Sequence, residues 1–245
     1  MKKPLLLDLR PCQFVLGMKE VEFKIKKMRK LKGKELKDYC DDHVIPLVRG
    51  PERELFIIDH HHFARACWEL SVYDYSVHLL EDLSHLNEQD FWNRMVKNDW
   101  TYLHDQFGFG PHLPSALPMD IRCLADDPFR SLVWAVIDAG GIEKQAIPFF
   151  EFKWAAFFRM TLPVRLHSKS NFTSALKQAI ELATSRNADH LPGFQGRKHA
   201  KKGRKGSSKK ASRKKANKLE ASGQKTSEKK DKSRKHRPST KKIKN

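Results

Sequence analysis

The chain's 245 residues suffice for one large domain or two small ones around a sizeable core. Its formal charge of +19 sits entirely at one end. Of 48 Lys+Arg and 29 Asp+Glu, residues 196–245 hold 22 and 3, which leaves the first 195 residues balanced at 26 of each. Four widely spaced cysteines (Cys12, Cys40, Cys67, Cys123), with no C-x-x-C pair, argue against a disulfide-stapled scaffold and a thiolate metal site. No run approaches the ~18 uninterrupted apolar residues of a membrane helix.

The opening MKKPLLLDLR does not make a signal peptide, because Asp8 and Arg10 end its apolar run too early. A cytoplasmic protein with reduced thiols is therefore expected. LLLDL (5–9) reads as a short strand, followed by a turn through RPCQF to Gly17. Residues 18–40 are rich in helix formers, with Val21, Ile25, Met28 and Leu31 in one stripe and Gly33 as an interruption. VIPLV (44–48) and ELFII (54–58) flank RGPER, whose Gly50 and Pro51 supply the turn of a hairpin. Past FIID, residues Phe63, Ala66, Cys67 and Leu70 fall at i, i+3, i+4 and i+7, the core face of a helix, with Arg65 and Glu69 paired on another side.

YSVHLLEDL (75–83) predicts a strand, residues 87–107 a helix or two, and GFGPHLPSALP a loop. Residues 126–141 predict a helix with an Asp cap before Pro128, with Leu132, Ala135 and Val136 inward and Gly140–Gly141 as the stop. IPFFEFKWAAFFRM (147–160) predicts an apolar helix. Its aromatics occur around the helix and so make core or an interface, not a base-stacking platform. NFTSALKQAIELATS (171–185) predicts the last helix, closed by the LPG at 191–193.

The segment DHHHFARACWEL (59–70) carries the most chemistry. Asp59 follows a buried strand and is a natural N-cap, able to accept from the N–H groups two and three residues on. His60, His61 and His62 then fall in the first helical turn, where free N–H groups and the positive end of the helix dipole favour a phosphate. Imidazoles there can donate to phosphate oxygens or pass a proton. Successive helical residues diverge by about 100°, so three adjacent histidines cannot face one metal ion. The plainer alternative is a polar first turn with one histidine packed and the others solvated.

The tail has no aromatic residue and only Leu219 and Ile243 as large aliphatics, so it is expected to be disordered. Its cations, among them Lys201, Lys202, Arg204, Lys205, Lys209, Lys210, Arg213, Lys214 and Lys215, predict salt-dependent, sequence-independent binding to DNA or RNA, with nucleoid association as a corollary. The alternatives are a solubilising or accidental lysine-rich extension, and ribosomal or nucleolar targeting, which the same composition allows.

The strand ELFIID, an Asp followed by His-His at a helix start, and the neighbouring VIPLVRG resemble the ParB/sulfiredoxin superfamily, whose turn usually reads D-G-H-H-R. The wider set RPCQFVLG (10–17), IDHHHFARACWEL (58–70), DDPFRSLVWAVIDAGG (126–141), FFEFKWAAFFR (149–159) and ADHLPGF (188–194) is similar to the putative ParB-like nuclease family, a bacterial group. The resemblance covers roughly residues 5–195. It implies an α+β fold: a small mixed sheet with a strand-turn-helix core, followed by a mainly helical C-terminal half. We divide the chain on that basis into a core at 1–85, a helical extension packed on it at 86–195 and the tail at 196–245.

The resemblance also implies a nucleotide- or phosphate-binding turn and nuclease or phosphodiesterase (hydrolase) chemistry. Carried over by position, Asp59 matches the motif's Asp, and His61 and His62 its His-His pair. His60 stands where the motif has Gly, and Phe63 where it has the phosphate-binding Arg, with Arg65 two positions later. The helix-turn-helix of chromosome-partitioning ParB is not apparent. The catalytic candidates are His61 and His62, the phosphate-binding candidates His60, His61 and Arg65, and Asp59 is a cap or base. A divalent cation, Mg²⁺ or Mn²⁺, would draw on Asp126, Asp127 or Glu151. Asp126 and Asp127 read most simply as caps, and Glu151 as a metal ligand or the partner of Lys153 or Arg159. The alternative function is nucleotide or DNA binding without catalysis.

Overall fold

The computed structural model describes residues 3–163, 166 and 169–196, Lys169 by its backbone alone. The fold is α+β, as expected. Strands β1 (Leu9–Pro11), β3 (Ile45–Arg49), β4 (Leu55–Ile57) and β5 (Val77–Asp82) form one mixed sheet in the order β1-β4-β3-β5. β3 and β4 are the antiparallel hairpin, joined through Gly50 and Pro51. β1 runs parallel to β4, and β5 parallel to β3. A second, two-stranded parallel pair joins β2 (Val15–Leu16) to β6 (Ala125–Asp126), tying the first residues to a segment over a hundred positions later.

The period of two in the hairpin sends alternate residues to opposite faces. Leu47 and Ile57 join the cluster under helices α1 (Met18–Met28) and α3 (His61–Glu69), with Val21, Met28, Phe63, Ala66 and Cys67. Val48 and Phe56 point the other way, against Phe91 and Met95 of α4 (Glu88–Lys97), and the Phe56 and Phe91 rings are 5.0 Å apart. The sheet is thus covered by helices on both faces. The stripe expected in residues 18–40 divides at Gly33 (φ 51), which caps α2 (Lys34–Asp41).

A further core lies among α5 (Pro128–Asp138), α6 (Phe150–Thr161) and α7 (Lys169–Ala183). Ala175, Ala179 and Ala183, spaced by four, are fully buried and let α7 approach closely, while Leu132, Val136, Trp154 and Phe158 fill the space. The LPG closure is anchored there: Trp154 Nε1 donates to the Pro192 carbonyl (2.8 Å) and Glu143 N–H to that of Gly193 (2.9 Å).

Three expectations need correction. Leu5–Leu9 is not one strand: Leu6–Asp8 is a 3-10 turn closed by Asp8, whose carboxylate accepts from Leu5 N–H (3.2 Å), and β1 begins at Leu9. An apolar run without alternation carries no strand register, so the local side-chain bond decides it. The helix expected over 87–107 stops at Lys97. Asp99 takes φ 55, and the chain then crosses to Cys12, whose carbonyl accepts from Tyr102 N–H (2.9 Å) and Thr101 Oγ1 (3.0 Å). Finally, the N-cap of α3 is His60, not Asp59. All four cysteines are free thiols. Among the described residues no helix is long and apolar enough to cross a membrane.

Candidate phosphate-binding site

The start of α3 meets the start of α1. His60 adopts a left-handed conformation (φ 66, ψ 23), uncommon for a residue with a side chain, and Asp59 accepts from its N–H at 2.7 Å. Glycine adopts this conformation without the steric cost that a side chain incurs. The three imidazoles then leave in different directions, as their angular spacing requires. The His60 ring approaches that of His43, centroids 5.9 Å apart. His61 Nε2 accepts from Cys12 N–H at 3.4 Å, and His62 Nε2 accepts from Gly17 N–H at 3.0 Å.

His62 is one of several side chains that satisfy the free N–H groups opening α1. Met18 N–H donates to Asp126 Oδ1 (3.0 Å) and Lys19 N–H to Ser131 Oγ (3.1 Å). Gly17 makes this possible, since a Cβ there would lie 2.8 Å from the Ser131 nitrogen. The segments RPCQFVLG, DHHH and DDPFRS, far apart in sequence, therefore converge on one backbone turn.

Burial holds both histidines neutral. His61 is pushed from 6.5 to about 3 by desolvation, against the pull of Asp59 and a bond with the Ile57 backbone. His62 is lowered by burial too, although Glu20 Oε2, 3.6 Å from its Nε2, pulls the other way. The backbone bond decides between these influences: an Nε2 that accepts from Gly17 N–H carries no proton. His43, against Phe63 and with its Nδ1 on the Tyr39 carbonyl, is lowered to about 4, chiefly by burial.

A prediction follows from these three rings. As pH falls below 6.5 the unfolded chain binds protons that the folded chain refuses, so stability is lost progressively, toward pH 3 for His61 and toward pH 4 for His43, by about 1.4 kcal/mol per pH unit for each of these two, and His62 acts in the same direction. Glu151 adds to this only below its ordinary value of 4.5, since its folded carboxyl lies near 2. Urea unfolding between pH 7.5 and 5 should therefore show a falling midpoint, and a flat profile would contradict neutral burial of the histidines.

The other candidates are engaged by neighbours. Arg65 Nε donates to Glu69 (2.9 Å) and its Nη1 to the carbonyls of Ile121 and Arg122 (both 3.2 Å), which fastens α3 to the 121–123 turn. Asp126 caps α1. Asp127 caps α5, accepting from Phe129 N–H (2.9 Å), and pairs with Arg159 at 2.6 Å. Glu151 pairs with Arg130 (2.7 Å) and Lys144 (3.4 Å), not with Lys153 or Arg159 as the sequence suggested. Burial would raise its carboxyl, yet Arg130 and Lys144 bring it down to about 2. Among the described residues no three His, Cys, Asp or Glu side chains group so as to hold a metal ion. The tail residues Lys201, Lys202, Arg204, Lys205, Lys209, Lys210, Arg213, Lys214 and Lys215 lie outside the described residues.

Sequence reasoning missed the centre of this cluster. Beside His62 lie Glu20 with Lys24 (3.4 Å), then Arg130, Glu151 and Lys144, a run of charges from α1 to the start of α6. The available signal was Arg130 itself, the one charge in PFRSLVWAVI.

The profile of the family described as Putative ParB-like nuclease matches residues 4–160. Among solved structures, the crystal structure of protein Atu1540 from Agrobacterium tumefaciens is similar, at 38% identity over 77% of this chain and 94% of that one, with a TM-score of 0.69. Among curated proteins none matches. With well over half of the chain covered by the profile, it belongs to the putative ParB-like nuclease family.

Proposed function

We propose that this protein binds phosphate groups of nucleotides or nucleic acids at the α3–α1 junction and does so without cleaving them, while the lysine-rich segment 196–245 supplies non-specific affinity for nucleic acid. The observation that carries the absence of cleavage is the use made of His61 and His62. Each spends Nε2 accepting a backbone N–H and is kept neutral by burial. An imidazole so placed shapes a backbone turn; it has no proton on that nitrogen to hand to a leaving oxygen. The family description and the basic segment support nucleic acid as the source of the phosphate.

Titrating labelled single- and double-stranded oligonucleotides and a nucleoside monophosphate with the full chain tests this reading. Binding of all three, without sequence preference, is expected. If none binds above a control of matched ionic strength, the reading fails. A second reading, hydrolysis, draws on the family description and on Glu20 Oε2 at 3.6 Å from His62 Nε2, a carboxylate able to hold a protonated imidazole. It predicts Mg²⁺- or Mn²⁺-dependent cleavage that is lost in His62→Ala.

A further inference from the structure

Arg130 is buried, its side chain 6% exposed, yet its guanidinium is only partly used. Nη2 is 2.7 Å from Glu151 Oε2, while neither Nε nor Nη1 has a hydrogen-bond partner. Buried donors are rarely left unmatched, because they lose water without gaining a replacement. The group is held in place on its other face: Cζ sits 4.3 Å from the centroid of the Phe152 ring, which in turn stacks on Tyr102 at 3.8 Å.

The surroundings are charged but balanced: Arg130, Lys144 and Lys24 face Glu20, Glu151 and Asp59, and neutral His62 adds no charge, so an anion would meet the unmatched donors and not a net positive field. Lys144, paired with Glu151 at 3.4 Å but 66% exposed, connects the group to solvent on a flexible stem. A guanidinium fixed by a carboxylate and a ring, with donors to spare, is a usual way to hold a phosphate.

We propose that Arg130 is the anchor of the phosphate site, receiving one compact oxyanion group on its unmatched N–H donors, with Lys144 closing over it from the solvent side and Glu151 orienting the guanidinium. This rests on the phosphate-binding reading above and deepens it by naming the residue that holds the ligand.

The test uses the full chain and inorganic phosphate, against sodium chloride at matched ionic strength. The arginine Nε–H resonance that disappears in Arg130→Lys identifies the group. It should move and saturate with phosphate, while Tm rises by roughly 5 to 10 °C at a hundredfold excess over Kd. Because Arg130→Met alone would strand Glu151, the comparison variant is Arg130→Met with Glu151→Gln, which removes both charges. Loss of the phosphate-dependent rise in this folded variant supports the proposal, since the tail is the same in both proteins. Persistence of the rise overturns it and leaves the binding reading intact. So does an unmoved resonance in a chain that still binds oligonucleotide, where buried water would be the partner of Arg130. If phosphate, nucleoside monophosphate and oligonucleotide all fail to bind, both readings fall. A resonance shift reached at lower concentration with nucleoside monophosphate assigns free nucleotide as the source, and one reached at lower concentration with oligonucleotide assigns the nucleic-acid backbone; either result supports the anchor.

Discussion

Replacing Asp127 with alanine is expected to destabilise the folded residues by about 4 kcal/mol and to lower Tm by roughly 10 °C. Asp127 is 1% exposed and has two tasks. It caps α5 through Phe129 N–H, and it faces Arg159 at 2.6 Å, which keeps only the Gln106 carbonyl (3.3 Å) as a further acceptor. Burial pushes its carboxyl above the ordinary range despite Arg159, so the pair adds little over an apolar replacement of both partners. Removing one partner is different, since the other is stranded in a poorly solvated position. Asp127→Asn, which keeps an oxygen for the cap, should recover about 1 kcal/mol. Urea unfolding reads both values, and a loss under ~1 kcal/mol for Asp127→Ala would show the pair to be no better than a surface ion pair.

Ending the chain at Gly196 is expected to have the largest effect on nucleic-acid binding. It removes 22 cations and leaves the remaining charges balanced, so counterion release should nearly vanish. If about six to ten phosphates are neutralised in the full chain, its affinity falls by roughly 10³ to 10⁵ between 50 and 200 mM salt. The shortened chain should bind at least about 100-fold more weakly at 50 mM salt, with a salt slope near that of one or two phosphate contacts. Fluorescence anisotropy at several salt concentrations gives the slope, and an unchanged slope would exclude the tail as the source of affinity.

Local signals in the sequence carried the elements whose partners are close in the chain. The apolar runs on either side of the Gly50–Pro51 turn specified the hairpin, Phe63, Ala66 and Cys67 face the core as their spacing required, and Arg65–Glu69 and the Asp127–Pro128 cap formed as read. Errors arose where a distant group competes with a local preference. The Cys12 carbonyl captures Thr101 and Tyr102 and ends a helical pattern early, and Asp126 caps not its own helix but α1.

The candidate site was visible as a place more than as a chemistry. The histidines could be assigned to a helix start. That two of them would accept from Cys12 and Gly17 depends on contacts across 49 and 45 residues, and no spacing rule foretells those. Arg130 escaped for a related reason: on an apolar helix a single arginine reads as a solvated residue, and only the fold places it against Glu151 and Phe152.

The most direct test of the central claim, binding without cleavage, is to incubate the full chain with labelled DNA and RNA in Mg²⁺ or Mn²⁺ and resolve the products on a denaturing gel. The account predicts that both nucleic acids are retained by the protein and recovered intact, in the wild type and in His62→Ala alike. Metal-dependent cleavage by the wild type that is lost in His62→Ala would contradict it and make the α3 start a catalytic centre.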